Sequence, residues 1–197
     1  GLVINTSGNI SIKKDDLIAI SPSGVSYDNL KSEDIVVLDK DKKIVEGKLL
    51  PSSETNLHVS IYDNYSDVSA IVHTHSLYAT SVSTLLEELP AIHYQIADLG
   101  GPIKVAPYET FGTEALAIEV EKNLKGRKAV LMKNHGAVTV GSDLEKSASR
   151  AILLEWLCSL YLLSKNSGNP AIIDDKEIEN VKCQMSNFKN LRSSFLK

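Results

Sequence analysis

Short apolar runs separated by polar or glycine-rich breaks make up the chain, and the period of each run predicts its element. Ile10-Ser11-Ile12-Lys13 and Leu17-Ile18-Ala19-Ile20 read as two strands around the turn Lys14-Asp15-Asp16. After the turn Ser21-Pro22-Ser23-Gly24, Ile35-Val36-Val37-Leu38 and Lys43-Ile44-Val45 predict a second strand pair across a charged turn. Pro51-Ser52-Ser53-Glu54 leads into a helix through about Asn64. Ser52 or Ser53 is placed to cap it, and Leu57, Ile61 and Tyr62 form an apolar stripe. Ile71 and Val72 are β-branched and apolar, so the approach to His73-Thr74-His75 reads as a buried strand.

Beyond that strand, residues 76–89 read as a helix ending before Pro90, and residues 91–107 as a loop around Gly100-Gly101-Pro102. Residues 112–123 predict another helix. Ala129-Val130-Leu131-Met132 follows as a strand running on to His135, with Ala137-Val138-Thr139-Val140 after it. Asp143 caps a long helix to about Ser164, with Leu144, Ala148, Ala151, Cys158 and Leu162 inward. Asn166-Ser167-Gly168-Asn169-Pro170 breaks it, and a polar, helical tail closes the chain. No internal repeat or linker interrupts the pattern, so residues 1–197 are expected to be one domain: a largely antiparallel sheet flanked by helices.

Composition narrows the function class. A chain of 197 residues with 43% hydrophobic and 23% charged residues is an ordinary globular protein with a sizeable core. A net charge of -4 without a basic cluster argues against a nucleic-acid surface. No apolar run approaches the roughly 18–20 residues that span a bilayer, and no signal peptide opens the sequence. Cys158, within a helix, and Cys183, in the polar tail, make no disulfide framework, which favours a reducing cytoplasm.

The chemistry lies in the polar positions next to the buried strands. Side chains alternate across a strand, so His73 and His75 face the same way, spaced to grip one ion. His135 follows another apolar run, and three imidazoles leave a tetrahedral Zn²⁺ one position for water or substrate. Glu54, at a helix start, is open to three roles: fourth ligand, general base, or an acid that stabilises the helix N-terminus. Gly8-Asn9, Ser23-Gly24 and Ser52-Ser53 are small-polar clusters which, if folded together, offer N–H and hydroxyl donors to a phosphate. Taken singly they are turns.

Five motifs in order set this chain apart: Asn5-Thr6-Ser7-Gly8-Asn9-Ile10-Ser11, Ser21-Pro22-Ser23-Gly24, Pro51-Ser52-Ser53-Glu54, His73-Thr74-His75 and Lys133-Asn134-His135-Gly136. From Gly1 to about Asn180 the pattern resembles the class II aldolase/adducin-head family of zinc-dependent sugar-phosphate enzymes. Pro90-Ala91-Ile92-His93-Tyr94 and residues 106–113 resemble the family's aldolases for ketose 1-phosphates such as L-fuculose 1-phosphate. The resemblance implies an α/β, three-layer αβα fold and one Zn²⁺ per subunit held by Glu54, His73, His75 and His135. Glu54 would double as the proton-transferring base. Asn9, Ser23, Gly24, Ser52 and Ser53 would bind the phosphate, and Phe111 would line the aldehyde pocket. Tyr94 would act as acid in a neighbouring subunit's site of a homotetramer. Family members usually carry a helix before the Asn5–Asn9 loop, so the sequence is expected to start inside its domain. The family's second functional tyrosine aligns near Phe188, which has no proton to give.

The implied reaction is retro-aldol cleavage to dihydroxyacetone phosphate and a short aldehyde such as L-lactaldehyde. Zinc would stabilise the enediolate as a Lewis acid. A pentulose-5-phosphate 4-epimerase or sugar-phosphate dehydratase on the same zinc site is the rival. A non-catalytic scaffold like the adducin head, in which the ligands are typically lost, is disfavoured by the presence of all three histidines and Glu54. Asp98, near the place of an epimerase aspartate, is the residue on which the choice turns, and the bland alternative is a solvated loop acid.

Overall fold

The computed structural model describes residues 1–195. Strands β1 (Asn9–Lys14), β2 (Leu17–Ile20), β3 (Val36–Leu38) and β4 (Ile44–Glu46) form an antiparallel meander. Helix α1 (Thr55–Asn64) leads to β5 (Ala70–Thr74), which pairs antiparallel with β1, and α2 (Leu77–Leu85) follows. The remainder comprises β6 (Glu88–Leu89), β7 (Ile103–Ala106), α3 (Glu114–Leu124), β8 (Ala129–Met132), β9 (Gly136–Gly141), α4 (Leu144–Ser167) and α5 (Asp175–Phe195). The sheet order is β4-β3-β2-β1-β5-β9-β8-β7-β6. Among the described residues only the β7–β8 pair is parallel, so the sheet is mixed and mostly antiparallel.

The central strands β5, β8 and β9 are buried along their whole length, because helices cover both faces. Alternation sorts their side chains into two cores. Ala129 and Leu131 pack with Ala79 and Val82 of α2 and Leu154 and Leu157 of α4. Val130 and Met132 pack on the other side with Leu57 and Ile61 of α1 and Leu116 and Val120 of α3. Each fully buried Leu or Ile contributes on the order of 2 kcal/mol. The expected α/β, three-layer architecture is what forms.

Several boundaries differ from the expectation. Residues 91–107 are not a loop: Tyr94–Leu99 is a 3₁₀ helix and β7 follows Gly100-Gly101-Pro102. The glycines and proline dominate the local signal, whereas β7 is stabilised by its non-local parallel pairing with β8. Helix α2 stops at Leu85 because Glu88–Leu89 pairs with β7. Strand β8 ends at Met132, leaving His135 on the turn into β9. The buried stripe of α4 comprises Ser147, Ala151, Leu154, Leu157, Cys158 and Tyr161, while Leu144 is exposed. Neither Ser52 nor Ser53 is the N-cap of α1; Glu54 is, and its side chain makes no cap bond.

A carboxylate from α4 completes the turn after the metal strand. Glu155 accepts the backbone N–H groups of Tyr78 (2.9 Å) and Ala79 (2.8 Å), at the start of α2. It satisfies two orphan donors and favours the positive helix end, anchoring the segment that carries His75.

Candidate metal centre and active site

Strand alternation brings the first two imidazoles together. His73 lies on β5 and His75 just past its end, with their Nε2 atoms 2.9 Å apart. The chain is held after β5 by the His75 N–H donating to the Leu2 carbonyl (3.1 Å). His135 arrives from the β8–β9 turn, where Asn134 adopts φ 55°, a left-handed conformation that asparagine tolerates. Gly136 is required there by close approach: a Cβ would lie 2.2 Å from the Thr74 carbonyl oxygen. Glu54 enters from the start of α1, 2.8 Å from His73 Nε2 and 3.5 Å from His135 Nε2. Donor atoms of all four residues lie within 4.8 Å of one another.

The donor set fits a divalent cation. His73 Nδ1 faces the Ala137 carbonyl oxygen at 2.9 Å, so Nδ1–H donates and Nε2 presents its lone pair to the cluster. That lone pair meets the Glu54 carboxylate and a second imidazole nitrogen, an arrangement that repels unless a positive charge lies between them. Glu54 Oε1 is buried and makes no hydrogen bond among the described residues, although it faces His135. Three imidazoles and a carboxylate suit a transition-metal ion. Burial works against a charged Glu54, but positive charge at the imidazole cluster, together with the Asn9 amide N–H, outweighs it and holds the carboxyl below its ordinary range. Burial likewise lowers His75 to about 4, which keeps its imidazole neutral and available as a ligand.

Two cavities open onto this cluster, and His75, His135 and Ser7 line both. One is a polar cleft of about 130 Å³ bounded by Asn9, Ser23, Gly24, Ser52 and Ser53. The three small-polar clusters of the sequence therefore do converge. Ser23 N–H donates to the Leu50 carbonyl and Ser52 N–H to the Ser21 carbonyl, which ties two of those loops together. The second cavity, about 570 Å³, shares His75 and His135 with the cleft and is otherwise lined by Ile4, Leu77 and Leu85 with Asn5, Thr80, Ser81 and Thr84. Phe111, 65% exposed, lines the polar cleft rather than this apolar hollow.

Other expected residues lie elsewhere in the subunit. Tyr94 is 51% exposed, stacks on His93 (4.6 Å between centroids), and shares a surface hollow with Phe188. Asp98 forms ion pairs with Arg150 (3.6 Å) and Lys189 (3.7 Å) on another face. Sequence reading missed His58, fully buried on α1 between Asn9 and Ser11. Its signal was the spacing Glu54, His58, Tyr62, which puts three polar side chains on one helical stripe.

Comparison with known proteins agrees with this geometry. Residues 1–162 match the family described as Class II Aldolase and Adducin N-terminal domain. The chain is 40% identical to 5-deoxy-D-ribulose 1-phosphate aldolase of Bacillus thuringiensis serovar kurstaki, over 92% of this chain and 86% of that one. It is 42% identical to L-fuculose phosphate aldolase of Escherichia coli (strain K12), covering 90% and 83% of the two chains. A solved L-fuculose 1-phosphate aldolase superposes with a TM-score of 0.91 at 39% identity, over 94% of this chain and 88% of that one. With three imidazoles and a carboxylate converging on this fold, the chain belongs to the class II aldolase and adducin N-terminal domain family and stands among its class II aldolases.

Proposed function

We propose that this protein cleaves a ketose 1-phosphate, L-fuculose 1-phosphate or a similar deoxysugar, to dihydroxyacetone phosphate and a short aldehyde such as L-lactaldehyde. One Zn²⁺ per subunit would be held by Glu54, His73, His75 and His135. The observation that carries this reading is that His75 and His135 of the ligand cluster line both a polar cleft and a hollow bordered by Ile4, Leu77 and Leu85. A substrate with a phosphate at one end and a deoxygenated carbon at the other matches that division. The relatives named for L-fuculose phosphate and 5-deoxy-D-ribulose 1-phosphate support the same class.

The residues divide the work. Ser52, Ser53 and the start of α1, with Ser23 and Gly24 opposite, offer hydroxyl and N–H donors to the phosphate, whose remote binding orients the reacting carbons. When bound, the metal ion supplies Lewis-acid stabilisation of the negative charge left as the C3–C4 bond breaks. Cleavage removes a proton from the C4 hydroxyl as that carbon becomes the aldehyde, the role proposed for Tyr94 of a neighbouring subunit. A proton then returns to C3, the role proposed for Glu54. Glu54 would carry that proton once substrate takes its place beside the imidazoles.

Tyr94 lies outside its own subunit's cleft, and exposed Leu77 and Leu85 flank the apolar hollow. Both features support a homotetramer with sites between subunits. Sedimentation is expected to find a tetramer at assay concentration, and a fully active monomer would remove Tyr94 from the reaction. A cytoplasmic setting is part of the same proposal: Cys158 and Cys183 are free, and among the described residues no helix is long and apolar enough to cross a membrane.

The deciding assay follows dihydroxyacetone phosphate release from a panel of ketose 1-phosphates, alongside interconversion of ribulose and xylulose 5-phosphates. Cleavage of one panel member should exceed pentulose interconversion by about a hundredfold or more, a difference of roughly 2.7 kcal/mol in barrier. Asp98→Asn should leave that cleavage within a few-fold, because Asp98 is engaged by Arg150 and Lys189. Pentulose interconversion that outpaces every cleavage and is lost in Asp98→Asn would establish the epimerase instead.

A further inference from the structure

We propose that His58 is a positioning residue for Glu54, acting through the side-chain amide of Asn9. Four hydrogen bonds link α1 to β1 in one buried file. Tyr62 Oη lies 2.7 Å from Ser11 Oγ, and Ser11 Oγ lies 2.6 Å from His58 Nδ1. His58 Nε2 contacts Asn9 Oδ1, and Asn9 Nδ2 donates to Glu54 Oε2 (3.2 Å). The register explains the file: Asn9 and Ser11 point from the same face of β1, while Glu54, His58 and Tyr62 form one stripe along α1.

Chemistry sets the direction of every bond. The Glu54 carboxylate only accepts, so Asn9 must present its NH₂ to it and turn its carbonyl oxygen to His58. That oxygen only accepts, so His58 carries its proton on Nε2 and its Nδ1 accepts from the Ser11 hydroxyl. Ser11 in turn accepts from Tyr62. All four donors therefore point toward Glu54, and reversing any one leaves two acceptors or two donors face to face in a dry interior. His58 is fully buried, and burial lowers it to about 3, so it stays neutral. It fixes which end of the Asn9 amide meets the carboxylate, and so fixes where that carboxylate sits relative to the three imidazoles.

The inference rests on the reading of Glu54 as a metal-holding carboxylate, and its test reads metal affinity apart from turnover. In His58→Phe, zinc affinity measured by chelator competition should fall about 10- to 100-fold, as when the outer partner of a ligand is lost. His58→Gln, whose amide can donate to Asn9 and accept from Ser11, should return to within a few-fold of the parent. In an Asn9→Ala background, His58→Phe should change zinc affinity less than about twofold, because the route through Asn9 is already cut. Nitrogen-15 spectra of the unmodified protein should show His58 in the Nε2–H tautomer whether or not any variant folds. Parent-like zinc affinity in His58→Phe, an undiminished effect in the Asn9→Ala background, or an Nδ1–H tautomer would each overturn the proposal. Absence of ketose phosphate cleavage with these zinc and tautomer results intact would refute only the proposed reaction.

Discussion

His73→Ala is expected to empty the metal site and to lower ketose 1-phosphate cleavage by more than about a thousandfold, since several kcal/mol of charge stabilisation leave with the ion. His73 is the hinge of the cluster. Its Nε2 lies 2.8 Å from Glu54 and 2.9 Å from His75, and its ring meets those of both other histidines at centroid distances of 4.7 and 5.0 Å. The side chain is buried, so no water-borne ligand replaces it easily. Two imidazoles and a carboxylate bind a transition-metal ion far less tightly than three imidazoles and a carboxylate. Elemental analysis of the purified variant, with cleavage assayed before and after added zinc, provides the check. Full zinc occupancy would show that His73 is not a ligand. Thermal unfolding should be followed beside it, because alanine also leaves the Ala137 carbonyl without its donor.

Glu54→Gln is expected to separate holding the metal from moving the proton. The amide has nearly the shape of the carboxylate and keeps an oxygen for the Asn9 N–H, so the three imidazoles should still retain most of the metal. Glutamine cannot carry a proton, and kcat for cleavage should fall by about 10²–10⁴, the usual contribution of a positioned acid–base group. A half-reaction reads this step alone. Exchange of the C3 hydrogen of dihydroxyacetone phosphate with deuterated solvent needs no aldehyde and no Tyr94. It should be rapid in the parent and slowed by the same factor as kcat in Glu54→Gln. Exchange at the parent rate with metal in place would assign the proton transfer to another group.

Periodicity by itself carried the elements whose signals are local. The apolar segments Ile10-Ser11-Ile12 and Leu17-Ile18-Ala19-Ile20 around the Lys14-Asp15-Asp16 turn predicted β1 and β2, and the run into His73-Thr74-His75 predicted a buried strand with both imidazoles on one side. The long helix after Asp143 was legible from its cap, where the Asp143 side chain accepts the Lys146 N–H. The three histidines could be nominated from their residue type and spacing, whereas Glu54 as a ligand and the small-polar clusters as a phosphate site came from the resemblance carried by five motifs in order. Tertiary structure decided where those groups meet. Glu54 could have been a first-turn acid; α1 lies against β1 and β5 so that its carboxylate turns inward, beside His73. Strand β7 exists because β8 supplies a parallel partner, a pairing between segments that no window of sequence contains. His58 looked like one more helical residue until the pairing of Asn9 with His73 brought β1 under α1 and gave its two nitrogens a carbonyl and a hydroxyl. A strand's period and a helix's cap are properties of a few consecutive residues, whereas register and the direction of a buried hydrogen-bond file are set by segments brought together from distant parts of the chain.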